Sequence, residues 1–494
     1  MLPLLIFIPF FGGIISFLLQ KISNKLPKFI AMFSILLIFL LNIFMFVHIT
    51  FPKLDLFCIN FFSNKFCFTW MEDIGIHFSL YEDIFSSYMI FLTTLLGLLS
   101  IIFSYYEIYK NPGTFYLNVL ILISSTIGSF LSTNLIFFFC FLEIIIFTIC
   151  FLNIFWGSKD IDTSIKFSCI KKFFLQSQIS SLVMLFSILL LFNYYHSIYG
   201  VWTFDFNLLK HAFINKSVIE NIILFGFLLS FIIKIPSIPF HTWLPDVMLF
   251  SPRGNFVDLI GFLSKVGIYG LLRFFIPISG NIFYKIQYFM ILLGIINVFY
   301  GTFMASIKNN LKHALAYINI SHVGIILLSM FNFNNLSYEG LFLYIISSTI
   351  SSSLLFILSS KLYNNFNTYN FKSFGGLWKI FNTIPGFFLF FVLSNFGLPG
   401  TGNFISEILI FIGFFLSHQK ISIFFTFSLM LFAFCYIKLF HRIFYGSLKN
   451  NLKCCDLSFV ETLFVSLLIL FLIFIGLFPN FIFNNFNFFD ICFN

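Results

Sequence analysis

Charged residues are scarce in this chain, and their scarcity excludes most classes of water-soluble protein. Only 9% of the 494 residues are charged, whereas 60% are hydrophobic. An ordinary soluble domain carries about 25% charged residues. Since a bilayer-spanning helix takes about 20 apolar residues, the length allows well over a dozen spans and leaves little chain for soluble domains. We therefore predict a single membrane domain over residues 1–494 with an all-α fold.

Cofactor-binding patterns are also missing. The nine cysteines include no C-x-x-C pair and no Cys/His cluster at metal-ligand spacing, which argues against iron–sulfur and zinc sites. We expect no flavin, haem, metal or nucleotide on this chain.

The start of the chain and its phenylalanine content bear on its location. Met1 leads directly into an apolar run, without the basic start of a signal peptide or an Arg- and Ser-rich transit peptide. We therefore expect the first helix to stay in the mature protein. The 84 phenylalanines exceed any packing need and indicate an AT-rich genome, such as that of an organelle.

A span-length window predicts fourteen transmembrane helices, at 3–20, 28–49, 86–106, 114–131, 134–156, 173–194, 218–240, 256–278, 286–304, 313–331, 338–360, 383–415, 421–441 and 458–480. The seventh contains Pro236 and Pro239, and the twelfth contains Gly397, Pro399 and Gly400. Proline breaks the helical hydrogen bonding, and broken helices at membrane depth occur where the backbone is buried in protein or lines a wet cavity. The alternative is a plain kink.

Basic residues favour one side of this predicted topology. Of the 27 lysines and arginines, seventeen follow odd-numbered spans and six follow even-numbered spans. The positive-inside rule then places both termini outside. The net charge of +9 is explained by topology, and we expect no nucleic-acid partner.

Four basic residues fall inside spans or at their ends, namely Lys234, Lys265, Arg273 and Lys438. A charge at the bilayer centre costs about 2.5–3.5 kcal/mol on insertion scales, so such groups are functional candidates. Arg273 cannot readily release its proton, and we interpret it as an interfacial anchor. Lys438, together with His441, lies near the end of a span, where anchoring is the favoured interpretation.

Glu143 and Lys234 are candidates for one buried pair. Glu143 has at least eight apolar residues on each side, so its carboxyl group must be paired, protonated or hydrated. The alternative is a neutral acid that serves packing. Lys234 directly precedes the I-P-S-I-P break, where loosened backbone and water can hold an ammonium; the alternative is snorkelling.

Lys265 is central to the eighth span, within FLSKVGIYGLLR. Asp258, seven residues earlier, is a partner for it or, alternatively, a solvated acid near the helix end. Glu407 follows the second break, and His322 lies within a long apolar segment. Burial brings lysine and glutamate pKa values toward neutrality, where proton exchange is feasible. A histidine is suited to a relay, although a lone histidine on an apolar helix is more often structural.

Several motifs identify a family. The run FIIKIPSIPFHTWLPDV at 231–247 resembles the K-x-P-x-x-P-x-H-x-W-L-P-D signature of the antiporter-like subunits of respiratory complex I. FLSKVGIYGLLR and GLPGTGNFISEILI resemble the segments of its subunit 4 branch, and LKHALAYINISHVG is similar to the family's L-K-x-x-x-A-Y-S-S-x-S-H stretch. The resemblance extends over about residues 85–445.

The resemblance implies a fold and roles for the candidate residues. It implies fourteen helices with two inverted five-helix repeats, at 111–250 and 251–415, between N-terminal helices at 1–110 and C-terminal helices at 416–494. It implies that protons pass from the pair Glu143 and Lys234 to a central Lys265, a relay His322 and an exit-side Glu407. Ser348 stands where the family has a second relay histidine, so water or His322 would have to bridge Lys265 and Glu407.

The resemblance also implies a function, partners and a location. The chain would move protons within an NADH:ubiquinone oxidoreductase whose NADH, FMN, iron–sulfur centres and ubiquinone are bound by other subunits. Its expected partners are the antiporter-like subunits 2 and 5, accessory subunits and lipids. The expected location is the mitochondrial inner membrane, with a bacterial plasma membrane as the alternative. The alternative functions are an independent multisubunit cation/proton antiporter and a structural membrane spacer.

Overall fold

The computed structural model describes residues 1–50, 64–105, 111–157, 163–213, 218–252, 262–447 and 455–483. Within these ranges the chain is mainly helical, which confirms the all-α prediction. Asp258 lies outside the described residues, so its predicted partnership with Lys265 stays a prediction.

The first half of the chain forms nine helices among the described residues, α1 Leu2–Leu19, α2 Leu26–Thr50, α3 Ile84–Ser104, α4 Pro112–Leu131, α5 Leu135–Trp156, α6 Thr163–Tyr199, α7 Phe206–Leu209, α8 Val218–Lys234 and α9 Trp243–Phe250. The second half contributes α10 Phe262–Gly270, α11 Ile276–Ile307, α12 Leu311–Met330, α13 Asn335–Phe366, α14 Ile384–Asn395, α15 Gly402–Ser417, α16 Gln419–Phe444, α17 Phe459–Leu477 and α18 Asn480–Phe483. A π-helical turn at Leu271–Phe275 joins α10 to α11, and α11 bends at Gly280.

Twelve helices of the described chain are long and apolar enough to cross a membrane. This count treats the segments Phe262–Gly280 and Ile282–Ile307 as two separate spans. The seventh and twelfth predicted spans are the two that remain, and both are broken. The seventh consists of α8 and α9, and the twelfth consists of α14 and α15. The predicted interruptions at Pro236–Pro239 and Pro399–Gly400 are therefore confirmed, whereas the inverted repeats and the four predicted segments stay predictions.

Some predicted bounds were wrong. The sixth span is Thr163–Tyr199 rather than 173–194, and the eleventh is Asn335–Phe366 rather than 338–360. Both extensions contain polar and basic residues that a hydropathy window excludes. Lys361, assigned to a loop by the sequence, is helical and pairs with Glu461, which explains how it is tolerated there.

The prediction from the sequence contained helices only, so it missed a β-hairpin. Strand β1, Lys65–Met71, pairs antiparallel with β2, Ile76–Tyr81. Gly75 closes the turn with φ 67°, a conformation that favours glycine. A Cβ on Gly75 would lie 2.1 Å from the carbonyl oxygen of Trp202, so the close approach also requires glycine.

The centre of the membrane domain is formed by helices that are buried on every side. In α3 and α12, 89% of the membrane-spanning residues are buried, and in α13 all of them are, whereas in α17 only 33% are buried. Helices that are apolar all round occupy such central positions, and the less buried ones present a face to lipid or to other subunits. The candidate residues on α12 and α13 therefore lie at the centre.

Candidate proton path

The break in the seventh span is stabilised by side chains that satisfy its freed backbone groups. Trp243 Nε1 donates to the carbonyl oxygen of Ile233 at 3.1 Å, and the hydroxyl of Ser237 donates to that of Ile232 at 3.0 Å. The backbone N–H of Ile238 donates to Asn297 Oδ1 at 2.9 Å. Because unsatisfied backbone groups are costly at membrane depth, these bonds allow α8 to end directly at Lys234.

The break in the twelfth span lies against Glu407. A Cβ on Gly397, whose φ is 86°, would lie 2.8 Å from Glu407 Oε2. Both the left-handed backbone and the close carboxyl group therefore favour glycine there. Asn403 Nδ2 donates to the carbonyl oxygen of Ser394 at 2.9 Å and thereby ties α15 to the end of α14.

The first pair of candidates, Glu143 and Lys234, is held by residues of α6. Gln178 Nε2 donates to Glu143 Oε2 at 2.7 Å, and Lys234 Nζ lies 3.6 Å from Met184 Sδ. Lys234 is 1% exposed, and Glu143 interacts with it electrostatically. Glu143 Oε1 is buried and has no hydrogen-bond partner among the described residues. Glu143 therefore contacts Gln178 and Lys234 contacts Met184, whereas the sequence predicted that Glu143 and Lys234 would pair with each other.

No ion pair within 4.0 Å joins Glu143 to Lys234 among the described residues. The direct form of the predicted contact is therefore absent, and the contact through one water stays a prediction. Gln178 was missed because a glutamine inside a long helix carries no charge signal. Its place within the mostly apolar α6 is the sequence feature that could have identified it.

A central cavity links Lys265 to His322. Its volume is about 50 Å³, and Lys265, His322 and Ser348 line it together with Asn319. The volume is enough for one or two waters, which these four polar side chains can bind within a mostly apolar lining. Lys265 Nζ also lies 4.9 Å from the ring centroid of Phe262. The structure therefore brings the central lysine, the relay histidine and the substituted serine to one cavity.

His322 is held between two tyrosines that the sequence did not single out. Its Nδ1 lies 2.7 Å from the hydroxyl of Tyr344, and its Nε2 lies 3.0 Å from that of Tyr436. Glu407, which is 7% exposed, interacts electrostatically with both tyrosines. Glu407 Oε1 is buried without a hydrogen-bond partner in the described chain. The tyrosines therefore contact His322 directly and lie within electrostatic range of the carboxyl group of Glu407.

Ser348 does not replace a relay histidine directly. Its hydroxyl donates to the backbone oxygen of Tyr344, one turn earlier on α13. The hydroxyl that bonds His322 comes instead from Tyr344 itself. Both tyrosines resembled ordinary aromatic packing residues in the sequence, because a phenol in an apolar helix has no charge and twenty tyrosines occur in the chain.

The remaining candidates lie near the ends of spans. Lys438 Nζ lies 5.9 Å from the ring centroid of Phe434, and His441 stacks on Tyr445; neither contact joins the proton path. Arg273 forms an ion pair with Asp83, so it is more than an anchor. Among the described residues, no group of three His, Cys, Asp or Glu could hold a metal ion.

The comparisons with known proteins agree with this architecture. Residues 132–433 match the family model "NADH:quinone oxidoreductase/Mrp antiporter, TM". The NADH-quinone oxidoreductase subunit M of Buchnera aphidicola subsp. Baizongia pistaciae is 40% identical, over 98% of this chain and 96% of the relative.

Two solved structures share the fold. Respiratory complex I from Thermus thermophilus matches with a TM-score of 0.86 and 22% identity, over 100% of this chain and 98% of that chain. The Mrp complex from Dietzia sp. matches with a TM-score of 0.79 and 17% identity, over 97% of this chain and 50% of that chain.

These matches define a polytopic membrane protein of the antiporter-like class. The chain belongs to the NADH:quinone oxidoreductase/Mrp antiporter transmembrane family. Within that family it is a homologue of NADH-quinone oxidoreductase subunit M.

Proposed function

We propose that this chain is a proton-translocating membrane subunit of an NADH:quinone oxidoreductase. The observation that carries the proposal is a set of buried ionisable groups from α5 to α15, in which one cavity joins Lys265 to His322 and two tyrosine hydroxyls bond His322. Glu143 and Lys234 accept protons from the inner side, Lys265 holds them at the centre, and His322 passes them toward Glu407. Electron transfer takes place in other subunits, and this chain contributes proton movement alone.

The energetics suit such a role. Lifting one proton against about 180 mV requires about 4 kcal/mol, at about 2.3 kcal/mol per 100 mV. Breaking or forming one buried ion pair is of the same order, about 3–5 kcal/mol. A change in charge next to Glu143 or Lys234, caused by quinone reduction elsewhere in the complex, is therefore large enough to drive one transfer.

His322 can pass a proton because its two nitrogens face different hydroxyl groups. In a neutral imidazole one nitrogen donates and the other accepts, so one tyrosine accepts from His322 while the other donates to it. A proton that comes from the Lys265 cavity enters through the tyrosine that donates to His322, and His322 then releases the proton on its other nitrogen to the second tyrosine. The second tyrosine passes a proton on toward Glu407, so the two hydroxyl groups together take the place of the missing relay at Ser348.

The tyrosines provide a sharp test of this path. Tyr344→Phe and Tyr436→Phe keep the rings and delete the hydroxyls, so assembly should be retained. Proton relays of this kind contribute about 100-fold or more to a transfer rate, and we expect a loss of that order in NADH-driven pumping by the double variant. Reconstituted vesicles with a pH-sensitive dye measure it.

Tyr338→Phe is the matched control for the tyrosine test. Tyr338 is also buried on α13, but its hydroxyl donates to the carbonyl oxygen of Met330 at 3.0 Å, away from His322. This variant should pump at the wild-type rate. Equal pumping by the control and the double variant would contradict the tyrosine path.

The partners and location follow from the proposed function. We propose that the chain lies between antiporter-like neighbours of the subunit 2 and subunit 5 type, with accessory subunits and lipids around it. The solved and curated relatives reported above come from bacteria, which favours the bacterial plasma membrane. The mitochondrial location expected from composition has no such support.

An independent cation/proton antiporter is the second candidate, because the family model and the Dietzia fold match include Mrp proteins. Extraction in mild detergent distinguishes the two. Co-purification with flavin, iron–sulfur centres and NADH oxidation supports the oxidoreductase. A small assembly without NADH oxidation would support the antiporter instead.

A further inference from the structure

A vestibule of about 630 Å³ lies apart from the row of groups described above. Its walls come from the β-hairpin, the start of α3, the turn between α4 and α5, the segment after α6 and the end of the eighth span. Each of these segments follows an even-numbered span, so the distribution of basic residues places the vestibule on the outer face. Charged residues, including Lys65, Asp205 and Lys210, make it polar.

An ion pair forms the part of the vestibule wall nearest the eighth span. Arg273 Nη1 lies 2.7 Å from Asp83 Oδ2, and the two side chains are 16% and 11% exposed. Asp83 Oδ1 accepts from the backbone N–H of Ser86 at 2.7 Å and caps α3. Arg273 lies in the π-helical turn, a distortion that is frequent at functional sites.

Arg273, one partner of the ion pair, lies on the same span as the central lysine. Arg273 follows Lys265 by eight residues, or about 12 Å along the axis. Tyr269 lies halfway between them and is 3% exposed, and its hydroxyl donates to the carbonyl oxygen of Phe130 at 2.9 Å. Polar side chains therefore extend from Lys265 toward the vestibule.

Glu82 lies behind the ion pair. Its chain neighbours Tyr81 and Asp83 line the vestibule, and the backbone at Asp83 is extended. Glu82 itself does not line the vestibule, and its burial shows that its side chain is directed into the protein. It is 1% exposed, and no hydrogen bond of ordinary geometry reaches its carboxylate oxygens in the part of the chain that the structure describes, although the hydroxyl of Ser87 is close enough to favour the charged form.

The environment of Glu82 brings its titration close to neutral pH. Burial raises the pKa of Glu82 from 4.5 to about 7; Ser87 on α3 opposes this shift, and the charge of Asp83 adds to it. Arg273 on the eighth span acts on this cluster through its ion pair with Asp83. A carboxyl group that titrates near the operating pH takes up and releases protons with comparable ease.

We propose that Glu82 is a proton-exchange site on the outer face, and that the Asp83–Arg273 ion pair is the barrier between Glu82 and the vestibule. A proton that reaches the Glu82 carboxylate forms the acid, and the same proton leaves to vestibule water, so no redox partner is needed. While the pair is closed, Arg273 neutralises Asp83, so this part of the vestibule wall offers no free carboxylate that would attract protons toward Glu82. The site rests on the proposed function, because it is a second branch from Lys265: protons held there pass either to His322 or toward Glu82.

The first test measures passive proton flux, without NADH, in vesicles that contain the assembled complex and an entrapped pH dye. After a pH step, Arg273→Gln should admit protons about tenfold faster than wild type, because local charge alters the concentration of ions in a polar cleft by 10-fold or more. Adding Glu82→Gln to this variant should return the flux to the wild-type rate. Glu72→Gln on the exposed hairpin turn is the matched control and should leave the flux unchanged.

The second test does not depend on opening the barrier. Infrared titration of the complex from pH 5 to pH 9 should show a carboxyl C=O band with a midpoint near 7, and Glu82→Gln should remove that band. A tenfold flux increase that Glu82→Gln reverses, together with loss of the band, supports the site.

Other outcomes overturn the inference. A wild-type flux in an assembled Arg273→Gln complex would show that the ion pair is not a barrier. An increased flux that persists in the double variant would show that the protons do not pass through Glu82. A spectrum unchanged by Glu82→Gln would make Glu82 a packing residue. These measurements omit NADH, whereas the tyrosine test requires it. The Glu82 site can therefore be contradicted while the tyrosine variants still show the predicted loss of pumping, so the two proposals are tested separately.

Discussion

Lys265→Met is expected to reduce NADH-driven proton pumping by about 100-fold or more, the usual contribution of a positioned proton-transfer group. Methionine has a similar length and keeps the apolar contacts of the side-chain stem, so the helix should pack normally even though the ammonium contact with the Phe262 ring is lost. What is lost is the titratable group on the wall of the central cavity. The quinone reductase rate should also fall, since redox steps and charge movement are coupled. Protons pumped per NADH in reconstituted vesicles measure the effect.

A second variant of Lys265 separates the effect of its charge from the effect of its titration, and a variant of another lysine serves as the control. Lys265→Arg keeps a positive charge but holds its proton at accessible pH, so it should fail to pump as well. Lys438→Met removes a lysine that contacts Phe434 near the end of α16 and should pump normally. Wild-type pumping by Lys265→Met would reduce Lys265 to a structural residue and remove the centre of the mechanism.

The Lys361→Met variant is expected to show the largest loss of stability. Lys361 on α13 pairs with Glu461 on α17, and its Nζ lies 5.9 Å from the ring centroid of Phe103. Glu461 is 2% exposed. The side chain of Lys361 is 21% exposed, and without it Glu461 keeps only the backbone N–H of Ser458 as a partner among the described residues, so the loss should cost about 1–3 kcal/mol. The temperature at which the purified complex dissociates should fall accordingly.

A double variant shows whether the loss arises from the unpaired acid. Lys361→Met combined with Glu461→Gln should be more stable than Lys361→Met alone, because the amide carries no charge and its oxygen can still accept from the backbone N–H of Ser458, as Glu461 Oε2 does at 2.9 Å. Lys379→Met, which removes an exposed lysine, serves as the control. Equal dissociation temperatures for Lys361→Met and Lys379→Met would show that the pair contributes nothing.

Much of the architecture was predictable because membrane insertion depends on local composition. Transfer of a segment from water to lipid is a sum over its own residues, so hydropathy located the spans to within ten residues at their ends. Proline and glycine act on the backbone at their own positions, and both helix breaks were therefore predicted correctly. The hairpin was missed because its alternation of side chains is short and follows a long apolar span.

The contacts of the proton path were not predictable in the same way. His322 and Tyr436 are 114 residues apart in sequence, and Gln178 is 35 residues from Glu143. Which side chains meet depends on how each helix is rotated against its neighbours, and in lipid that rotation is set by packing and interhelical hydrogen bonds. Neutral polar groups such as Gln178, Tyr344 and Tyr436 also lack the insertion cost that made Lys234 and Glu407 conspicuous.

The sequence by itself determined that this is a membrane protein with two broken spans, with Glu143, Lys234, Lys265, His322 and Glu407 as its buried ionisable candidates. Those conclusions follow from the cost of placing charge and free backbone groups in lipid, which is paid residue by residue. Only the tertiary structure decided what each of these groups contacts. The cavity beside Lys265, the two tyrosines on His322 and the carboxyl of Glu82 behind its ion pair all arise where separate helices meet, and no local pattern encodes such meetings.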